Sequence, residues 1–287
     1  MYVPEFVALY EIFPYIEYLP LDNETIRVAL KDYCKGGNKK DVIIKKYGKI
    51  EDWNTSEVTD MSELFSFKDL NENISKWDTS NVTNMDSMFL FANNFNQDIS
   101  EWNTSKVTNM KEMFSSVYNF NQPIGKWDTS KVTNMKDMFH HAESFNQPIG
   151  IWDVSKVTDT RAMFYFALKF NQPIDGWDTS NVTDMEFMFC GAESFNQHIG
   201  GWNTSNVTDM GYMLCGAYKL NKPIERWDTS NVISMNYMFC DAKNFNQPIG
   251  GWDISKVTYM NDMFCDALNF NPENAPWYRD GDEGVSE

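Results

Sequence analysis

Residues 77–101 read WDTSNVTNMDSMFLFANNFNQDISE, and the chain repeats this stretch with variations almost to its C-terminus. A tryptophan opens every copy, with one interval of 24 residues followed by eight intervals of 25. All ten tryptophans of the protein belong to this series: Trp53, Trp77, Trp102, Trp127, Trp152, Trp177, Trp202, Trp227, Trp252 and Trp277. A fixed period between about 20 and 50 residues is typical of a solenoid, in which each coil buries its apolar face only against its neighbours.

The repeat and the composition together predict the fold class and its boundaries. We expect a repeat solenoid, mainly β, of about nine stacked 25-residue coils over residues 51–277, with a helical head or cap over 1–50 and an acidic polar tail over 278–287. Hydrophobic residues make up 42% of the chain and aromatic residues 15%, which is enough for a continuous core and excludes a disordered chain. Two prolines in the last copy, Pro272 and Pro276, are expected to close that end of the stack.

The head contains three segments with helical features. Residues 1–20 are apolar and aromatic at roughly helical spacing and end at Pro20. Asp22 or Asn23 is predicted to cap a helix that stops at the glycine pair 36–37, and a second short helix is predicted from Lys40 to about Lys46. We expect these helices to cover the first coil. The alternative is a separate docking module.

Each copy is predicted to contain one helical turn and very short strands. An apolar set recurs at the spacing i, i+3, i+4, i+7, which is one face of a short α-helix or 3₁₀ turn: Met85, Met88, Phe89 and Ala92 in the second copy. Thr83 or Asn84 stands where the N-cap of that helix belongs. The flanking Ser-x-Val-Thr and Phe-Asn-Gln-x-Ile segments alternate like strands, so one or two very short parallel strands are expected per coil.

Stacking in register would turn each repeated residue into a column. The tryptophans, with the Met/Phe pairs and the isoleucines, are expected to fill the interior, each on its copy above and below. An asparagine ladder is expected to satisfy turn groups that would otherwise be buried without partners. Its residues are Asn96, Asn121, Asn146, Asn171, Asn196, Asn221 and Asn246, with Asn71 and Asn271 at the ends.

The charge balance excludes two classes of partner. A formal charge of -17 and a pI near 4.5 oppose binding to nucleic acid or to an anionic membrane, because both require basic surfaces. The N-terminal sequence has neither the basic segment nor the small-residue cleavage site of a signal peptide, and no apolar segment approaches the roughly 18 residues of a membrane span. We therefore expect a soluble protein that is not exported by its own signal.

The pattern V-T-x-M-x-x-M-F-x-x-A-x-x-F-N-x-x-I-x-x-W-D-x-S, present here at residues 132–155, resembles the 25-residue repeat of the BspA-like leucine-rich-repeat surface proteins, the DUF285 family. This resemblance implies a solenoid used in adhesion or protein interaction, with no catalytic residues to carry over. The family that this repeat resembles occurs in bacterial surface proteins, in protists and in giant viruses. Since this chain lacks the signal peptide of the bacterial members, the resemblance favours an intracellular or virion-associated protein.

The outward positions vary from copy to copy, and a partner would be recognised there. Two basic columns occupy the same three copies: Lys106, Lys131, Lys156 and Lys111, Lys136, Arg161. An aromatic stripe follows next to the second column in later copies: Phe187, Tyr212 and Tyr237. Exposed aromatic residues beside arginine and lysine are typical of protein interfaces, so we predict partner binding by another protein at these nine residues.

Two further columns have the residue types of metal sites. Cys190, Cys215, Cys240 and Cys265 occupy one slot of four successive copies, but no CxxC spacing or histidine column accompanies them, so we expect small reduced thiols. An Asp or Asn follows each internal tryptophan: Asn54, Asp78, Asn103, Asp128, Asp153, Asp178, Asn203, Asp228 and Asp253. This column could bind calcium, but its asparagines favour turn capping. No cofactor is predicted.

The chain offers no recognisable catalytic motif. It has three histidines, no glycine-rich phosphate loop, no HExxH and no nucleophile elbow. The favoured hypothesis is a non-enzymatic scaffold for protein interaction or a structural role, with self-association possible. The alternatives are an adhesin-like or carbohydrate-binding surface module, and an adaptor whose head recruits a second partner.

Overall fold

The computed structural model describes residues 18–279, which begin with two helices. Helix α1 spans Asn23–Cys34 and helix α2 spans Gly37–Tyr47. Asp22 is the N-cap of α1, as predicted, because its carboxylate accepts hydrogen bonds from the backbone amides of Glu24 and Thr25. Helix α2 begins three residues before the predicted Lys40. The apolar segment predicted over residues 1–20 lies outside the described residues except for its last three.

Helix α1 is attached to the first coil through polar contacts with its backbone. The Asn23 side-chain oxygen accepts hydrogen bonds from the amides of Thr59 and Asp60 at 2.8 and 3.0 Å. Arg27 donates from Nη1 to the Ser62 carbonyl at 2.6 Å. The head therefore pairs with backbone groups that an earlier coil would otherwise occupy.

The coils stack with a single parallel bridge between each neighbouring pair. The bridges connect equivalent residues in one unbroken series: Asp60, Asn84, Asn109, Asn134, Asp159, Asp184, Asp209, Ser234 and Tyr259. Within residues 18–279 no longer strand forms, so the prediction of a mainly β solenoid with Phe-Asn-Gln-x-Ile strands is wrong. In the Phe-Asn-Gln-x-Ile segments, side-chain hydrogen bonds replace the backbone bonds between strands. Each asparagine of the predicted column accepts a hydrogen bond through its side-chain amide oxygen.

The predicted helical turn over Met85, Met88, Phe89 and Ala92 is also absent. Ser87 and Phe91 between them adopt φ of 53° and 55°, in the left-handed region that an α-helix excludes. Alternate amides bond within the turn and to the next coil: Met88 donates to the Met85 carbonyl at 3.2 Å, whereas Phe89 donates to Met113 at 3.0 Å. Two tight turns therefore produce the same inward spacing as a helix while leaving half of the amides for the neighbouring coil.

The inter-coil bonds of this turn all point in one direction. In each of the first eight coils four amides donate to carbonyls of the following coil; in the second coil the donors are Met85, Ser87, Phe89 and Phe91. The last coil carries equivalent amides at Met260, Asp262, Phe264 and Asp266, for which the described chain provides no next coil. Within residues 18–279 the predicted closure by Pro272 and Pro276 does not reach these four amides; on the other side of this end, Pro276 packs against Gly250.

The core is a continuous set of side-chain columns, as the repeat predicts. Phe89 and Phe114 of successive coils stack with ring centroids 5.6 Å apart and planes 3° from parallel. Trp102 and Trp127 stack in the same way at 6.4 Å. Burial of a large apolar side chain contributes about 1.5–3 kcal/mol, and an aromatic pair adds about 0.5–1.5 kcal/mol.

The asparagine column forms the predicted ladder through its side-chain oxygens. Asn96 Oδ1 accepts from the Asn121 amide of the next coil at 3.0 Å, and Asn121 Oδ1 accepts from Asn146 at 2.9 Å. The following glutamine also bonds to the neighbouring coil, since Gln122 Nε2 donates to the Asn96 carbonyl at 2.9 Å.

Neither helix of the described chain, residues 18–279, has the length and apolarity needed to traverse a bilayer.

Candidate interaction groove

The outward side of the double turn forms one face of the stack, here called the turn face. Counting each tryptophan as repeat position 1, positions 10, 11, 14 and 15 point outward, while positions 9, 12, 13 and 16 are the buried apolar set. In the fifth coil these positions hold Arg161, Ala162, Tyr165 and Phe166; the small Ala162 is only 7% exposed, and the other three are partly exposed. Since successive coils stack in register, each position forms a column along this face.

The second basic column lies on the turn face, and each of its cations meets a carboxylate. Lys111 Nζ lies 2.9 Å from Glu112, Lys136 Nζ lies 3.8 Å from Asp137, and Arg161 Nη1 lies 3.8 Å from Glu186 of the next coil. The expected basic patch is thus a charged band with both signs, in which exposed pairs contribute little to stability.

The first basic column lies elsewhere. Lys106 Nζ donates to the Asn81 side chain at 2.6 Å. The positive charge of Lys156 contributes to the lowered pKa values of Asp128 and Asp153, after the larger effect of hydrogen bonds from the adjacent serines. This column therefore belongs to the corner that follows the tryptophans, and the structure does not bring the two basic columns together.

The aromatic stripe continues the turn face where the cations end. Phe187 and Tyr212 stack with centroids 4.6 Å apart, and Tyr212 and Tyr237 stack at 4.7 Å. At the far end of the stripe, the nearby carboxylate of Asp262 in the next coil raises the pKa of the Tyr237 phenol. Most ring faces of the stripe are therefore covered by another ring of the stripe.

A groove of about 430 Å³ joins the cation column to the stripe. It is lined by Lys136, Asp137, His140, Arg161, Ala162, Tyr165, Glu186 and Phe187. Three of the predicted partner-binding residues, Lys136, Arg161 and Phe187, thus share one depression. Position 11 explains its location, because Ala162 contributes only a methyl group between Asp137 and the Phe187 ring.

The groove combines neutral and charged walls. His140 stacks on Tyr165 with centroids 4.8 Å apart and planes 7° from parallel. Burial, with the nearby charge of His141, lowers the pKa of His140 to about 4, so the ring is neutral at pH 7. Burial also raises the pKa values of Asp137 and Glu186, because their charged forms lose water.

Sequence reasoning missed His140, Tyr165, Ala162 and Glu186. The available signal was variation at one repeat position: position 14 changes from serine to histidine, tyrosine and then cysteine along the middle coils. A small residue at position 11 between charged and aromatic ones was a second signal. Neither indicates a groove until the register brings the neighbouring columns together.

The two columns with metal-site residue types have other contacts. The cysteines lie at position 14 beyond Tyr165; burial raises the pKa of Cys240 to about 12, and the Cys190 thiol raises that of Cys215. Between residues 18 and 279 no three or more histidine, cysteine or acidic side chains are grouped to hold a metal ion. The Asx column caps turns, as when Asp78 Oδ1 accepts from the Ser80 amide at 2.9 Å.

Comparison with known proteins identifies the repeat. A family described as "Mycoplasma protein of unknown function, DUF285" matches residues 39–150, 101–202 and 190–282. The chain belongs to the DUF285 family. No curated protein matches this DUF285 chain.

Among solved structures, the DUF285 chain is similar to a chain of the "Crystal structure of TLR13-ssRNA13 complex". The two sequences are 11% identical, and the match has a TM-score of 0.25. It covers 84% of the DUF285 chain and 45% of the other, so the DUF285 chain spans less than half of that protein's length.

Proposed function

We propose that this DUF285 chain is a non-enzymatic scaffold that binds another protein through its turn face, with the groove over Ala162 at the centre of the contact. The observation that carries the proposal is the convergence of Arg161, Tyr165 and Phe187 on one depression. Arginine and aromatic residues in central pockets supply most of the energy of protein interfaces. The charged pairs around the groove would form the polar rim.

Three features of the stack support an interaction role over the alternatives. A long buried core keeps the turn face in a fixed shape, so little ordering is needed on binding. The aromatic stripe covers its own ring faces by stacking, which leaves few flat surfaces for a sugar. Helix α1 uses Asn23 and Arg27 on the first coil, so its polar groups are less available for a second partner.

The test compares two charge-reversal variants in a partner capture experiment. One carries Lys111→Glu, Lys136→Glu and Arg161→Glu on the turn face; its matched control carries Lys106→Glu, Lys131→Glu and Lys156→Glu on the other basic column. Both change the net charge by the same amount, so a nonspecific effect of charge would be equal in the two. Circular dichroism melting would show that both remain folded.

A partner of the turn face should be retained by the wild type and the control and lost from the first variant. Equal capture by all three proteins, or equal loss from both variants, would contradict the proposal. Capture that depends only on Lys106, Lys131 and Lys156 would move the binding surface to the corner after the tryptophans.

A further inference from the structure

We propose that the groove holds one tyrosine side chain of the partner protein, seated over Ala162 as an additional ring of the aromatic stripe. This inference rests on the proposed function, because it names the group by which the partner is recognised. The order of residues at repeat position 11 supports it. From the fourth coil to the ninth these are Asp137, Ala162, Phe187, Tyr212, Tyr237 and Asp262.

The stripe stops at Phe187 although the backbone continues unchanged. One face of the Phe187 ring stacks on Tyr212, and the opposite face is directed toward the fifth coil, where the equivalent residue is Ala162. Tyr165 meets Phe187 at 79° with centroids 5.8 Å apart, so it touches the ring without stacking on it. A flat aromatic group is therefore the shape that completes this surface.

Ala162 shares the backbone conformation of the whole position-11 column, including its aromatic members. Its φ is 50°, against 58° at Phe187 and 55° at Tyr212. A ring placed one coil before Phe187 in the same register would lie at the spacing that the stripe already uses, 4.6–4.7 Å. The groove volume of about 430 Å³ lies within the range of about 300–1,000 Å³ that is usual for ligand pockets.

The chemistry at the two ends of the stripe indicates a phenol rather than a phenyl group. At one end the carboxylate of Asp262, the position-11 residue of the next coil, interacts with the Tyr237 phenol and raises its pKa. At the other end Asp137 holds the equivalent place beside the gap. Its closest cation, Lys136 Nζ, is 3.8 Å away, and within residues 18–279 no hydrogen bond to the Asp137 carboxylate is formed.

A phenol hydroxyl would give Asp137 the donor that its partly dry site lacks. Hydrogen bonds to charged groups are stronger than those between neutral groups. The stacked pair of His140 and Tyr165 forms the adjacent wall, and His140 is neutral at pH 7. Arg161 is held toward Glu186, so it borders the groove without filling it.

The test uses the intact chain with p-cresol, the side-chain analogue of tyrosine, and toluene, which lacks the hydroxyl. Binding is measured by saturation-transfer NMR and by titration. Ala162→Phe fills the proposed place with a ring that this repeat position already accepts. Glu63→Phe adds the same ring at position 11 of the first coil and is the matched control. Asp137→Asn tests the acceptor.

We expect p-cresol to bind the wild type and Glu63→Phe with equal affinity, and Ala162→Phe at least about tenfold more weakly. Asp137→Asn should weaken p-cresol binding about threefold and leave toluene binding unchanged. No saturation transfer in the wild type, or equal binding to Ala162→Phe with the melting temperature retained, would overturn the inference. Equal affinity of the wild type for toluene and p-cresol would overturn the tyrosine assignment.

The two proposals can fail separately. If Ala162→Phe loses p-cresol yet captures every partner of the wild type, the groove accepts a phenol and the proposed docking face is wrong. If a partner is lost from the turn-face charge variant while p-cresol never binds, the docking face stands and the tyrosine inference is wrong.

Discussion

The Trp152 indole donates a hydrogen bond from Nε1 to the Ile124 carbonyl of the preceding coil at 3.3 Å. The same bond recurs along the stack, from Trp77 with the Ile50 carbonyl at 2.8 Å to Trp277 with Ile249 at 3.2 Å. The indole ring is therefore packed in the core while its one polar atom, Nε1, is hydrogen-bonded to the backbone that precedes it in the stack. This explains why every copy opens on tryptophan rather than on another aromatic residue.

Replacing Trp152 by phenylalanine should reduce the free energy of unfolding by about 2–4 kcal/mol, because it leaves a cavity and removes the indole hydrogen bond to the Ile124 carbonyl. Urea denaturation followed by circular dichroism would measure the change. Ile151→Ala is the control, since the neighbouring Ile151 side chain is 82% exposed and should change stability by less than about 0.5 kcal/mol. Equal stability of the two variants would show that the indole bond is dispensable.

Asn146 should tolerate aspartate better than alanine. Its Oδ1 accepts from the Asn171 amide and from Gln172 Nε2, both at 3.0 Å, so the oxygen is the group that the next coil requires. Asn146→Ala should cost about 1–3 kcal/mol by leaving the Asn171 amide without its acceptor. Asn146→Asp keeps an acceptor and should cost less. The ladder mechanism predicts this order in urea unfolding, and the reverse order would contradict it.

Much of the interior could be predicted from the sequence because identical residues in register must stack on one another. The tryptophan and phenylalanine columns and the Asx turns follow directly from the 25-residue period. The local backbone did not follow. Ser87 and Phe91 are not residues that favour left-handed φ, and the spacing of the apolar set is the same for a helix and for two tight turns. The inter-coil hydrogen bonds decide between them, and they have no local sequence signal.

The groove was predictable only in part for a similar reason. Arg161 and Phe187 stood out as charged and aromatic residues, but their contact depends on the register between two coils. The pair Arg161–Glu186 crosses that boundary, as does the stacking of His140 on Tyr165. Ala162 acts by its small size, and a small residue in a variable column indicates a groove only once the register places it beside Arg161 and Phe187.

The attachment of α1 to the first coil predicts that the head stabilises the stack. Asn23→Ala removes the acceptor for the amides of Thr59 and Asp60 and should cost about 1–3 kcal/mol. Hydrogen exchange should then increase in the first coil before the middle coils, since neighbouring repeats support one another. Val28→Ala is the control, because Val28 is exposed on the same helix. Unchanged exchange in the first coil would make the head an independent module.

His140 should make the stack less stable in mild acid. Its pKa is about 4 in the folded chain and about 6.5 when unfolded, so between these values the unfolded chain binds more protons and stability falls as the pH falls. The ring is partly exposed, and a discounted estimate for acidification from pH 7 to pH 5 is a loss of about 1 kcal/mol.

His140→Tyr should remove most of this loss, because tyrosine occupies the same repeat position at Tyr165 and does not titrate in this window. His141 has a lowered pKa for the same reason and acts in the same direction, whereas the raised pKa of Asp137 acts in the opposite direction. The comparison therefore uses the difference between wild type and variant in urea unfolding at pH 7 and pH 5. If both proteins lose the same stability, His140 is not buried as a neutral ring.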